Sequence, residues 1–123
     1  MEKPQAPGLS DSTLSALWRR AVLKRCGYRC VVCQGKGTLQ IHHVIHRRYK
    51  MLRWYVVNGV PVCPGECHEK VNFMGVSILE DDERDDVVGN AQITFKQFLV
   101  KWGMTESEWR TAVKDALLKE INA

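Results

Sequence analysis

The sequence predicts a small α+β domain that is stabilised by a bound metal ion, and three observations lead to this fold class. Apolar residues recur at helical spacing near both ends of the chain. Two short segments between them, residues 39–41 and 60–62, have the pattern of strands. Two pairs of cysteines occur close to those segments, in a chain of 123 residues that buries only a modest core.

The first predicted helix has one apolar face and one basic face. Asp11 or Ser12 is expected to cap it, and Gly27 is expected to end it. The apolar residues lie three or four positions apart and are Leu14, Leu17, Trp18, Ala21 and Val22.

Two further helices are predicted after residue 90, because the chain twice shows capping-box spacing, at Thr94-x-x-Gln97 and Thr105-x-x-Glu108. Gly103 is expected to end the first of them. Their apolar residues are interpreted as core: Phe95, Phe98, Leu99 and Trp102, then Trp109, Ala112, Val113, Ala116 and Leu117.

The domain organisation follows from composition. Residues 1–10 are predicted to be a flexible N-terminus, 11–79 the main domain, 80–89 an acidic linker and 90–123 a C-terminal helical segment. Residues 1–78 hold twelve Lys or Arg against four Asp or Glu, and residues 79–123 hold six against ten. The basic part favours a polyanionic partner, nucleic acid first, although a solubilising surface has the same composition.

The sequence contains neither an apolar stretch long enough to span a membrane nor an apolar signal core after Met1. A cytoplasmic location without membrane association is therefore expected. Clustered cysteines in a reducing compartment bind metal more often than they form disulfides.

The cysteines carry the strongest signal in the chain. Two close thiolate pairs about thirty residues apart suit one tetrahedral structural Zn²⁺, and they are Cys30-x-x-Cys33 and Cys63-x-x-x-Cys67. An alternative ligand set has His68 in place of Cys67. Cys26 is left over and is interpreted as a packing residue.

The histidines suggest a second site. His42 and His43 are adjacent at the end of a predicted strand, so their side chains point to opposite faces and serve different roles. His68 and Asn72 lie four residues apart on a short helix predicted after Pro64, so they share a face. That face together with His42 could bind a second, divalent ion.

The set Cys30-x-x-Cys33, Ile41-His42-His43-Val44, Asn58-Gly59, Cys63 and Cys67-His68 resembles the zinc-bearing, four-cysteine form of the HNH endonuclease family. The resemblance covers about residues 26–74. It implies a treble-clef-like ββα-metal finger, in which a hairpin is crossed by a short helix, with flanking helices outside it. Small stand-alone members are frequent in phage and mobile elements.

The resemblance also implies roles for single residues. His43 resembles the general base, His42 and His68 resemble ligands of a catalytic Mg²⁺, Mn²⁺, Ni²⁺ or Zn²⁺ ion, and Asn72 falls where some members have another ligand. Asn58 resembles the central Asn that holds the loop and orients the base. The implied activity is DNA cleavage that leaves a 5′-phosphate and a 3′-hydroxyl. Many members have Asp at the position of His42, and the loop after His43 lacks the usual glycine pair.

That loop is instead strongly basic. Four of its residues are predicted to contact DNA phosphates rather than bases, namely Arg47, Arg48, Lys50 and Arg53. Tyr49 and Trp54 are open to two interpretations, stacking against DNA or packing against the first helix.

Two functions from other classes remain: a non-catalytic zinc module that binds nucleic acid, and a regulatory or toxin-type interaction protein. The sequence leaves the oligomeric state open.

Overall fold

The computed structural model describes residues 9–123 and has an α+β architecture. Within this range, five α-helices accompany one two-stranded antiparallel sheet. Their bounds in chain order are α1 Asp11–Arg25, β1 Gln40–His43, β2 Gly59–Val62, α2 Glu66–Met74, α3 Asp81–Ala91, α4 Phe95–Trp102 and α5 Glu106–Ile121. Short 3₁₀ helices occupy Lys50–Leu52, Val56–Asn58 and Gly75–Ile78. Among these helices none has the length and apolar character needed to cross a membrane.

Helix α1 begins earlier than the sequence suggested. Its cap is Ser10, whose hydroxyl accepts a hydrogen bond from the backbone N–H of Thr13 at 3.2 Å, so neither Asp11 nor Ser12 is the cap. Leu9 is buried, so the predicted flexible N-terminus does not extend to residues 9 and 10. The rest of that prediction, residues 1–8, lies outside the described residues. The helix ends before Gly27, which has a positive φ of 69° as a helix-ending glycine does.

The sheet pairs His42 with Val60 and His43 with Gly59. Strand β2 is buried along its length, because α1 packs on one side of the sheet and α2 contacts β2. Val71 of α2 is 1% exposed and packs with Val60 and Val62. The hairpin and the short helix therefore follow each other in the order ββα.

The largest cluster of buried residues lies between α1 and α5. Its buried residues come from those two helices and from the loop between the strands: Leu14, Trp18, Ala21, Val22, Trp54, Trp109 and Leu117. Cys26 packs against this cluster, in agreement with its interpretation as a packing residue. Trp54 is 2% exposed and donates from Nε1 to the Ser15 hydroxyl at 3.0 Å, so it packs against the first helix.

The acidic run was predicted as a linker and is instead helix α3. Asp81, Asp82 and Glu83 occupy its first turn, where the helix dipole favours negative charge. Val87 is fully buried in a cluster with Met51, Leu52 and Leu79. Residues 80–89 therefore pack against the main domain and do not separate it from the C-terminal helices.

Both predicted capping boxes are present, at Thr94 with Gln97 and at Thr105 with Glu108, and Gly103 ends α4 in the left-handed conformation. The predicted core stripe of α4 is too long. Phe95, Phe98 and Leu99 pack against the core, whereas Trp102 is 57% exposed because the helix extends past the packed surface. On α5, Ala112 and Ala116 are likewise exposed.

Candidate functional site

Four cysteine sulfurs lie together at one end of the sheet. Cys30 and Cys33 lie in the turn before β1. Cys63 follows β2, and Cys67 lies in the first turn of α2. All four sulfurs are within 4.8 Å of one another, and those of Cys33 and Cys63 are 3.6 Å apart. Sulfurs in a tetrahedral Zn²⁺ site are separated by roughly 3.8 Å, given a Zn–S bond of about 2.3 Å. The cluster could thus hold a metal ion such as zinc.

Backbone N–H groups stabilise the thiolate form of Cys30, the form that binds a metal ion. The N–H groups of Val32, Cys33 and Cys63 point at its sulfur from 3.4 to 3.5 Å. Burial opposes ionisation of this thiol, but the three N–H groups together lower its pKa to about 6. Hydrogen bonding to the thiolate is what a metal-binding cysteine requires, because the thiolate is the ligand.

Two of the other thiols, those of Cys63 and Cys67, are held in the protonated form, and a bound cation would favour their thiolates instead. The neighbouring Cys33 raises the pKa of Cys63 to about 12, and burial with the nearby Cys30 and Cys33 raises that of Cys67 to about 11. Four thiolates this close need a central positive charge. The alternative ligand set with His68 is not what the structure has, because Cys67 joins the cluster and the ring of His68 lies against His42.

A second feature is an open cavity of about 280 Å³ between β1 and α2. Five of the polar residues predicted to carry chemistry line it, together with Ile41 and His46: His42, His43, Arg47, His68 and Asn72. The structure therefore brings the predicted base and the three predicted ligands of the catalytic ion to one cavity. A cavity of about 280 Å³ has room for an ion and several waters.

His42 and His68 meet edge to face, with ring centroids 5.1 Å apart. Burial and then the charge of His68 lower the pKa of His42, so its ring favours the neutral form that ligates metals. Asn72 lies one turn after His68 on the same face of α2 and is exposed at the cavity. The two imidazoles and the amide of Asn72 thus line the same cavity, and imidazole nitrogens and an amide oxygen are groups that can ligate a divalent ion.

His43 lies on the opposite face of β1 from His42, toward α1, as strand alternation predicts, and it still borders the cavity. Its ring stacks on Trp18 with centroids 4.2 Å apart and an angle of 16° between the planes. Nε2 lies 2.9 Å from the carbonyl oxygen of Arg53. Since a carbonyl only accepts, Nε2 carries the proton and Nδ1 is the nitrogen free to take one. Burial lowers the pKa of this ring, which keeps it neutral.

Asn58 is fully buried and holds the loop between the strands. Its Oδ1 accepts from the N–H of Ile45 at 2.7 Å, and its Nδ2 donates to the carbonyls of Ile45 and Leu52 at 2.9 and 3.0 Å. It does not line the cavity, but it fixes both ends of the loop segment that follows His43.

The basic loop divides into two pairs. Lys50 binds Glu106 of α5 at 2.5 Å, and Arg53 lies 3.5 Å from Asp11 of α1 while its Nε donates to the carbonyl of Arg47. Arg47 and Arg48 are exposed and have no ion-pair partner among residues 9–123. Of this second pair, Arg47 lines the cavity and Arg48 is its neighbour in the chain.

Sequence reasoning missed two contributors. Trp18 was interpreted as core, and it is 3% exposed, but it also forms the face on which His43 stacks. Arg110 of α5 was not singled out, yet it is buried and binds Asp11 at 2.7 Å. The only signal in the sequence was a lone Arg within the apolar stripe of α5, and its partner is about one hundred residues away.

Comparison of the chain with protein-family models, with curated proteins and with solved structures gave no match.

Proposed function

We propose that this protein is a metal-dependent DNA endonuclease of the HNH type, which nicks or cleaves DNA by hydrolysing phosphodiester bonds. The observation that carries the proposal is the cavity between β1 and α2. There, an imidazole pair suited to a divalent ion adjoins a third, neutral imidazole whose proton position is fixed by a carbonyl.

In this proposal His43 is the general base. Its Nε2 proton is held by the carbonyl of Arg53, so Nδ1 accepts a proton from the attacking water. The stacked ring of Trp18 restricts rotation of the imidazole. Because the ring is neutral near pH 7, it is ready to accept that proton.

His42 and His68 are the proposed ligands of the catalytic ion, with Asn72 beside them. When bound, a divalent cation would stabilise negative charge on the phosphate and on the departing 3′ oxygen. The products are a 5′-phosphate and a 3′-hydroxyl. Asn58 acts through the loop, because its three hydrogen bonds hold the segment that carries the acceptor for His43.

The four cysteines are the proposed ligands of a structural Zn²⁺, since a site closed by four protein sulfurs leaves no position for substrate. This ion would complete the treble-clef-like ββα-metal finger by joining the turn before β1 to the start of α2. Arg47 and Arg48 are the proposed contacts to DNA phosphates, because their charges are not used within the described part of the protein.

A plasmid-cleavage assay across titrations of Mg²⁺, Mn²⁺, Ni²⁺ and Zn²⁺ tests the two histidine roles separately. We expect His43→Ala to bind metal and DNA but to lose about 10²–10⁴-fold in rate, the usual contribution of a general base. His68→Ala should bind the catalytic ion more weakly, so excess metal should restore part of its activity and none of that of His43→Ala. Asn72→Ala should resemble a milder His68→Ala.

The control variant is Phe73→Ala, on the same helix next to Asn72, with a side chain that is 95% exposed outside the cavity. It should cleave at the wild-type rate. Full activity of His43→Ala would refute the base, and cleavage without metal would refute the mechanism. DNA binding without cleavage under every metal would favour the non-catalytic zinc module.

A further inference from the structure

The segment between the strands is held in place by charged groups on α1 and α5. Residues 47–54 contain the acceptor for His43 but belong to neither strand. On one side Lys50 binds Glu106, and on the other Arg53 faces Asp11. The geometry of the candidate site therefore depends on helices that lie outside the ββα segment.

Asp11 lies between two guanidinium groups. Its Oδ1 is 2.7 Å from Nη1 of Arg110, and its Oδ2 is 3.5 Å from Nη1 of Arg53. Both guanidiniums also lie against the ring of Trp54, at 5.5 Å for Arg53 and 5.3 Å for Arg110. Two like charges on one aromatic ring repel each other, and the carboxylate between them offsets this repulsion.

The two arginines differ in their freedom to move. The Arg110 side chain is 7% exposed, and its Nη1 also donates to the carbonyl of Leu9 at 3.1 Å, so it is fixed. The Arg53 side chain is 27% exposed and can turn toward solvent. If the carboxylate of Asp11 were neutralised, we expect Arg53 to be the group that moves.

Arg53 connects this charge network to the histidine. Its side-chain Nε donates to the carbonyl of Arg47 at 2.9 Å, and its own carbonyl accepts from Nε2 of His43 at 2.9 Å. A turn of Arg53 toward solvent breaks the first bond and loosens the peptide that makes the second. The imidazole then loses the contact that fixes which nitrogen carries the proton.

We propose that Asp11, held by Arg110, is a positioning residue for His43 and acts through Arg53. The inference rests on the proposed function in so far as His43 is the base. It also assigns a role to the C-terminal helix, because α5 supplies the buried Arg110 that fixes Asp11.

The test is Asp11→Asn with Asp81→Asn as the matched control. Each aspartate is the first residue of a helix and forms an ion pair, Asp11 with Arg110 and Asp81 with Arg84. The readout is the ¹⁵N spectrum of the His43 ring in the zinc-loaded, DNA-free protein, which reports the proton position. The wild type and Asp81→Asn should show the Nε2–H form, and Asp11→Asn should show a mixture of both forms.

Kinetics give a second readout. Asp11→Asn should lower kcat for plasmid cleavage on the order of 10-fold with KM unchanged, because a misplaced base costs rate and not binding. Asp11→Asn leaves Arg110 with only Glu106, at 3.8 Å, as a carboxylate partner and could unfold the chain, so Arg53→Met is the second variant. It keeps a stem on Trp54 and should give the same mixture of ring forms.

The double variant should show no further change in the ring spectrum, because both changes break one connection. An unchanged Nε2–H spectrum in a folded Asp11→Asn, or in Arg53→Met, would overturn the inference. If the wild type cleaves no DNA, the proposed function fails, but the ring spectra still decide whether Asp11 positions His43.

Discussion

At the scale of single residues, Gly59 is where the sheet and α1 come closest. A Cβ at this position would lie 2.5 Å from Cζ2 of Trp18 and 2.6 Å from Cγ2 of Val22. Gly59 also pairs with His43 across the sheet, and Trp18 is the ring on which His43 stacks. The absence of a side chain at Gly59 therefore lets Trp18 reach the histidine.

We expect Gly59→Ala to lower the free energy of unfolding by about 1–3 kcal/mol, the usual cost of forcing a methyl group into a packed core. The matched control is Gly89→Ala in α3, where a Cβ would meet nothing within 4 Å. It should raise stability by up to about 1 kcal/mol, because alanine favours the helix. Urea unfolding monitored by circular dichroism measures both, and equal midpoints for the two variants would contradict the packing argument.

At the scale of elements, the cysteine cluster joins three pieces of chain that also share a small apolar cluster. The turn at Cys30, the end of β2 and the start of α2 meet there, and their apolar cluster has only four buried residues. We expect so small a core to need the metal for stability. The free energy of zinc binding at such a site also contributes to folding, and it is about 10–16 kcal/mol in zinc-finger peptides.

We expect one zinc per chain in elemental analysis of protein purified without chelators. Cys33→Ser should lose the metal and the helical signal of α2, whereas Cys26→Ser, which alters the thiol outside the cluster, should keep both. Metal-free wild-type protein that keeps its full circular dichroism spectrum would show that the cysteines merely pack.

Elements whose boundaries are set by local chemistry could be predicted from the sequence. The capping boxes at Thr94 and Thr105 are of this kind, because neighbouring residues supply the hydrogen bonds. The first strand was predicted at residues 39–41 from its alternation and lies at Gln40–His43. Helix α3 could not, because its composition resembles a solvated linker and only Val87 is fully buried. The acids of its first turn are stabilised by the helix itself, which composition alone does not reveal.

The candidate site divides in the same way. The sequence predicted the four clustered cysteines and five of the seven residues that line the cavity, since their spacing along a hairpin and a helix brings them together. It could not predict that Trp18 stacks on His43 or that Arg110 reaches Asp11, because these contacts join segments 25 and about 100 residues apart. Nor could it separate the four basic loop residues into neutralised and unneutralised pairs.

At the scale of the whole molecule, charge is distributed unevenly along the chain but partly cancelled in the fold. The acidic C-terminal part contributes Glu83 to Arg25 and Glu106 to Lys50, so helices α3 and α5 neutralise some of the basic surface. Arg47, which lines the cavity, and its neighbour Arg48 are left without such partners among the described residues.

The difference between the paired Lys50 and Arg47 and Arg48, which are unpaired among the described residues, should affect how DNA binding depends on salt concentration. Each phosphate that a protein neutralises releases condensed counterions, so the slope of log K against log salt changes by about 0.9 per contact on duplex DNA. We expect the Arg47→Ala, Arg48→Ala double variant to flatten that slope by about 2, measured by fluorescence anisotropy with a catalytically inactive His43→Ala chain. Lys50→Ala should change it by less than about 1, because Glu106 already neutralises this lysine. Equal slopes for all three proteins would mean that this loop releases no counterions, and that DNA, if bound, is held elsewhere.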